Sequence, residues 1–299
     1  MYRKKYYEFN NEYIFKDKLN SGIFSVTFFF KDKEGNIIIY DTDKYAYNSE
    51  SMFLFNLSTK GTVLIDEKNY RITYYERKSD VTFITFNGTK TTKETEPFGL
   101  SFIMQNGWNL ISVAQDNDTQ YQDLCLDDFR NVVTPIIINK EVYTYGVSLG
   151  GYCALYFGGC INATIIAGSP KNSAHPSINM ARFRSLNFNH KEFDDIPTTK
   201  KSTYIVYDPT IKSDSMFILN CVKLAYPASN ILPIENGTHA ILQTMLKAGV
   251  LKLYINSIVA NKYNDDICNY IKAKCKFFQK SEKEAFMILD KVFKEKLFL

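Results

Sequence analysis

Val142-Tyr-Thr-Tyr-Gly-Val-Ser-Leu-Gly-Gly-Tyr-Cys-Ala-Leu-Tyr-Phe157 carries more structural information than any other stretch of this chain. A short β-branched and aromatic run leads into Gly146-Val147-Ser148-Leu149-Gly150, and a helix-compatible segment follows at once. This is G-x-S-x-G in the strand–turn–helix setting that a nucleophile elbow requires. The serine of such an elbow sits on a turn so tight that side chains two residues either side collide, which accounts for Gly146 and Gly150. Five of the 14 glycines fall between residues 146 and 159, so the pattern is not a by-product of glycine abundance.

Working outward, residues 81–299 alternate strand and helix signals, the rhythm of a mostly parallel sheet flanked by helices. Strands are expected at Val81–Phe86, Trp108–Ala114, Ala163–Ala167, Thr203–Tyr207 and Asn230–Ile234. Helices are expected near 97–105, over 126–139, after the elbow and near 215–225. Leu242, Met245, Leu246, Val250 and Leu253 fall on one face of a further helix. A last helix opens on the capping box Ser281-x-x-Glu284 and continues through Phe286, Leu289 and Phe293.

Residues 1–80 read differently. Phe24–Phe30 with Ile37–Tyr40, and Thr62–Ile65 with Tyr70–Tyr75, are strand–turn–strand signals. This antiparallel β segment is either a small accessory domain or the leading strands of the main sheet. The expected fold class is therefore α/β, with an antiparallel N-terminal segment over 1–80 and a catalytic domain over 81–299. Residues 168–200 lack periodicity and are expected to border the site.

Composition narrows the function classes. A 45% hydrophobic content supports a full core, and a formal charge of +4 with lysines scattered among acids leaves no nucleic-acid footprint. Cys125, Cys153, Cys160, Cys221, Cys268 and Cys275 form no C-x-x-C pair, and free thiols in a reducing compartment are expected. The N-terminus lacks the apolar stretch of a signal peptide, and no apolar run approaches the ~18 residues of a membrane span. The expected location is cytoplasmic. No metal and no organic cofactor is implied, and the oligomeric state is open.

A serine hydroxyl is a poor nucleophile until a base takes its proton, and an acid must orient that base. Elbow chemistry runs in the chain order Ser, then Asp or Glu, then His. Of three histidines, His175 and His190 come before a later strand can supply the acid. His239, in Glu235-Asn-Gly-Thr-His-Ala240 just beyond the last strand, is the base that order selects. For the acid, position favours Asp208 at the end of Thr203–Tyr207. Asp214, ahead of the next helix, is the alternative, although an aspartate there also suits an N-cap. The developing oxyanion needs two donors. One is the Leu149 amide; the other is the Thr89 amide in Asn87-Gly88-Thr89, unless that segment is an ordinary Asn-Gly turn.

Across about residues 81–256, Ser148, His239 and the Gly146/Gly150 frame resemble the α/β-hydrolase superfamily. The resemblance implies an esterase, lipase, thioesterase, peptidase or acyltransferase working through an acyl-serine. The chain departs from common members in its N-terminal segment and in lacking the Gly-x-x-Asp that often precedes the acid. The elbow, the Tyr-Asp-Pro segment and the Gly-Thr-His loop are also similar to bacterial hydrolase-like proteins tied to surface-glycan modification or glycoprotein export. The leading expectation is a serine hydrolase acting on a small-molecule or glycan carboxylic ester, with an O-acyl group on a sugar within that class. An acyltransferase using the same triad is the first alternative. A non-catalytic interaction protein, with Tyr2, Tyr6, Tyr7, Tyr45 and Tyr47 offered to a partner, is the second.

Overall fold

Strand after strand of this chain ends its apolar run at one edge of a sheet, and the candidate chemistry lies on that edge. The computed structural model describes residues 61–279 throughout, 284, 285 and 287–289 near the C-terminus, and short backbone segments within 22–56. Two units divide at Thr59/Lys60.

In the first unit, β1 (Gly22–Phe24), β4 (Tyr45–Asn48) and β5 (Phe53–Asn56) form one antiparallel sheet. β2 (Thr27–Lys31) and β3 (Ile37–Asp41) form the expected hairpin. Tyr2, Tyr6 and Tyr7 lie outside the described residues, and of Tyr45 and Tyr47 only the strand backbone is described.

The second unit is built on eight strands: β6 (Thr62–Asp66), β7 (Tyr70–Tyr75), β8 (Val81–Phe86), β9 (Asn109–Gln115), β10 (Glu141–Val147), β11 (Thr164–Gly168), β12 (Thr203–Tyr207) and β13 (Asn230–Pro233). Their spatial order is β13-β12-β11-β10-β8-β9-β7-β6. Strands β8 to β13 are parallel, whereas β6 and β7 run antiparallel at one edge. This hydrogen bonding makes 62–75 part of the main sheet, so the unit boundary falls at 59/60 rather than at residue 80.

The helices are α1 (Leu100–Gln105), α2 (Leu126–Ile137), α3 (Leu149–Gly158), α4 (Lys212–Phe217), α5 (Lys223–Ala225), α6 (Ile241–Lys247), α7 (Leu251–Val259) and α8 (Asp265–Phe278). A π turn, Ile218–Val222, joins α4 to α5. The single helix expected across 242–253 is two. Gly249, at φ 74°, ends α6 with Gly249 N–H donating to Leu246 O and Val250 N–H to Met245 O. That is a Schellman cap, and its left-handed residue is one a glycine adopts without strain. Leu246 and Leu253 are accordingly exposed, while Leu242, Met245 and Val250 are buried. Of the last expected helix, 284–285 and 287–289 are helical; Ser281, Phe286 and Phe293 lie outside the described residues.

Alternation along each strand splits the apolar residues between two faces. Ile84, Phe86, Ile111, Val113, Ile165 and Ile205 join Phe129, Val133, Leu155 and Phe157 in one core. Phe83 faces the other way, stacked on Trp108 and Tyr143 at 5.0 and 5.1 Å. Burial on both faces is what the near-continuous apolar strands encode. Among the described residues no helix is long and apolar enough to cross a membrane.

Candidate active site

β10 ends in the elbow. Ser148 takes φ 55° and ψ −119°, a strained region for a residue with a side chain, and α3 begins at the next residue. A Cβ on Gly146 would stand 2.3 Å from the backbone of Gly150, and one on Gly150 would stand 2.4 Å from Phe86 O. Glycine is thus required for close approach at both positions, and the second contact packs the end of β8 against the elbow. Ser148 N–H donates to Gly168 O at 2.8 Å, and Lys171 N–H donates to Ser148 O at 3.0 Å.

His239 lies on the loop after β13. Its Nε2 is 2.8 Å from Ser148 Oγ, and its Nδ1 is 2.5 Å from Asp214 Oδ2. A carboxylate only accepts, so the proton sits on Nδ1 and leaves Nε2 to accept from the serine hydroxyl. The imidazole is part-exposed, at 37% of its side-chain surface, whereas the Asp214 side chain is fully buried. A buried carboxylate oriented on a base reachable from solvent is the arrangement a proton relay needs.

The carboxylate that meets the imidazole is therefore Asp214, and the expectation that Asp208 would do so is corrected. Asp208 is buried at the end of β12, but its Oδ1 accepts from Thr210 N and Oγ1 at 2.9 and 2.7 Å. Its Oδ2 accepts from Thr238 N–H at 2.9 Å. It holds the turn into α4 and the histidine loop, where Thr238 sits at φ 64°, without touching the imidazole. Asp214 is not an N-cap either. Ile211 occupies that position, and Asp214 is the third residue of α4. Ser215 Oγ on Pro209 O fastens this first helical turn.

The second oxygen of Asp214 is also satisfied. Lys171 Nζ lies 2.8 Å from Oδ1, and Ser213 Oγ donates to the same oxygen at 3.2 Å. Burial pushes the Asp214 carboxyl up, but the hydrogen bonds from His239 and Lys171 outweigh it and hold the group below the ordinary carboxylate range. Nothing in the sequence singled out Lys171 among the chain's 36 lysines and arginines.

As the first residue of α3, Leu149 has an N–H with no intrahelical acceptor, at the positive end of the helix dipole. Gly88 O accepts from Gln115 Nε2 at 2.8 Å and from Thr91 Oγ1 at 2.7 Å. In a trans peptide the N–H points opposite the carbonyl, so these bonds turn the Thr89 amide away from Gln115. A Cβ on Gly88 would meet nothing within 4 Å. Gln115, whose Oε1 also accepts from Gln120 N–H at 2.8 Å, is a second residue that sequence reading missed.

The other histidines are embedded in an aromatic cluster. His190 stacks on Tyr156 at 4.1 Å and on Tyr152 at 5.7 Å, with Nδ1 3.0 Å from Tyr152 OH and Nε2 2.9 Å from Tyr121 O. Burial lowers its pKa to about 4. His175 is likewise lowered by burial, opposed by Glu192 at 3.3 Å from its Nε2. Segment 169–202, which contains both, packs on α3 and brings neither imidazole to Ser148 Oγ.

Sheet order, edge polarity and elbow together define an α/β-hydrolase-like fold. No protein-family model matches the chain, and no curated protein matches it. Solved structures similar to it include the capsule O-acetyltransferase of Neisseria meningitidis serogroup A, at 14% identity and TM-score 0.44, covering 66% of this chain and 93% of that one. Est1E from Butyrivibrio proteoclasticus matches at 12% identity and TM-score 0.43, covering 68% of this chain and 100% of its own. A serine hydrolase without lid from Xanthomonas campestris matches at 13% identity and TM-score 0.43, covering 67% and 95%.

Proposed function

We propose that this chain is a serine esterase that works through an acyl-serine intermediate. The observation that carries the reading is the continuous relay Ser148–His239–Asp214, with contacts of 2.8 and 2.5 Å. In the first half-reaction Ser148 Oγ bonds to the ester carbonyl carbon while its proton passes to His239 Nε2. Asp214 stabilises the imidazolium. The negative charge that develops on the carbonyl oxygen meets the Leu149 and Thr89 amides. The carbon–oxygen bond to the leaving alcohol then breaks, and the alcohol leaves with the proton from His239. In the second half-reaction a water molecule, deprotonated by His239, releases the acid and restores the serine.

The substrate class is a carboxylic ester, including an O-acyl group on a sugar. An added hydroxyl acceptor would intercept the same acyl-enzyme, and the ratio of transfer to hydrolysis would separate the two activities. We place the enzyme in the cytoplasm, on the six thiols that form no disulfide.

A fluorophosphonate probe tests the reading. Ser148 should be labelled in the native chain, and labelling should vanish in Ser148→Ala. Hydrolysis of p-nitrophenyl acetate should vanish in His239→Ala but persist in His175→Ala and His190→Ala variants that fold. Undiminished labelling of Ser148→Ala would remove the enzyme assignment.

A further inference from the structure

A triad carboxylate offers two oxygens, and only one faces the histidine. Here the other is held by the ammonium of Lys171, whose side chain is only 13% exposed. The same residue donates its backbone N–H to Ser148 O at 3.0 Å. Lys171 thus touches the nucleophile's backbone at one end and the acid at the other, and the spacing between the two is set through a single residue. Resting on the Ser148–His239–Asp214 reading above, we propose that Lys171 is a positioning residue. It locks the acid in register with the elbow, and its charge favours the ionised carboxylate that orients His239.

The effect of the charge is electrostatic. The groups that bear on His239 from the packed elements are Asp214 on α4, Lys171 on the loop after β11, Ser148 at the elbow, and Asp208 beyond β12. Asp208 acts through Thr238 N–H. Burial by itself would push Asp214 toward its protonated form. With Lys171 in contact the carboxylate stays ionised to lower pH and goes on accepting from His239 Nδ1. A lysine serving only as packing would have no influence on where the acidic limb of the profile lies.

The experiment is the pH dependence of kcat/KM for p-nitrophenyl acetate, with fluorophosphonate labelling in parallel, for the native chain and three variants. Lys171→Met removes charge and donor. Lys171→Gln keeps an N–H donor without charge, and Lys171→Arg keeps both. The acidic limb should move upward by about one pH unit in the Met and Gln variants and stay in place in Arg. The plateau should fall most in Met. A limb at its native position in folded Met or Gln variants would overturn the proposal. Failure of both neutral variants to fold, with Arg folded, would overturn it too, since Lys171 would then belong to the scaffold. Loss of Ser148-dependent labelling in the native chain is a different result and would remove the triad itself.

Discussion

In the mechanism we propose, single atoms of Ser148, His239 and Asp214 carry the chemistry, and substitutions there should separate activity from folding. Ser148→Ala deletes one hydroxyl on a turn held by backbone contacts. Its thermal unfolding should stay within about 0.5 kcal/mol of native. A markedly earlier transition would mean that the hydroxyl is a structural group. Asp214→Asn should leave the imidazole in the wrong tautomer and lower kcat by a factor on the order of 10⁴. Asp208→Asn places an amide where Thr238 N–H or the Thr210 groups need an acceptor. It should destabilise the fold by about 1–3 kcal/mol while retaining far more activity than Asp214→Asn. Steady-state kinetics and urea unfolding of the two variants would discriminate, and the reverse order of kcat would return the acid to Asp208.

Elements meet at the elbow with no space to spare. Strand β8 approaches α3 through Phe86 O, at a distance that leaves no room for a Cβ on Gly150. Gly150→Ala must push the strand and the helix apart, so we expect a loss of roughly 1–3 kcal/mol together with fluorophosphonate labelling. Gly88, two residues beyond the same strand, has open space around its Cα. Gly88→Ala should fold like the native chain, and any effect should appear in KM or kcat. Equal stability of the two variants, measured by urea titration, would contradict this account of the strand–helix contact.

Across the whole molecule, stability should depend on pH well above the range where carboxylates titrate. His190 has a folded pKa of about 4, against an ordinary value of 6.5. Between these values the unfolded chain binds a proton that the native chain excludes, so stability falls as pH drops from 6.5 toward 4. The shift corresponds to about 3 kcal/mol, fully present above pH 6.5 and lost by pH 4. His175, lowered for the same reason, adds to the slope. His190→Gln removes the titration and should flatten the dependence. An unchanged slope of the urea midpoint between pH 7 and pH 4.5 would show that His190 is not its source.

Local pattern determined much of this protein. Val81–Phe86 and Thr203–Tyr207 read as strands because β-branched and aromatic residues run unbroken there, and both bounds hold. The elbow was legible because its geometry excludes every residue but glycine at 146 and 150. The placement of His239 beside Ser148 was legible because chain order leaves one histidine beyond the last strand. The choice between Asp208 and Asp214 was not, since both follow the same strand and differ only in where the first turn of α4 points a carboxylate. Lys171 left no trace in the pattern, because a lysine that grips a buried acid reads like one in solvent. The membership of 62–75 in the main sheet was equally hidden, since a hairpin's own residues do not state which edge it joins. Short-range sterics and periodicity are written along the chain; the partner of a carboxylate or an edge strand is chosen by residues far away in sequence, and only the folded molecule brings them together.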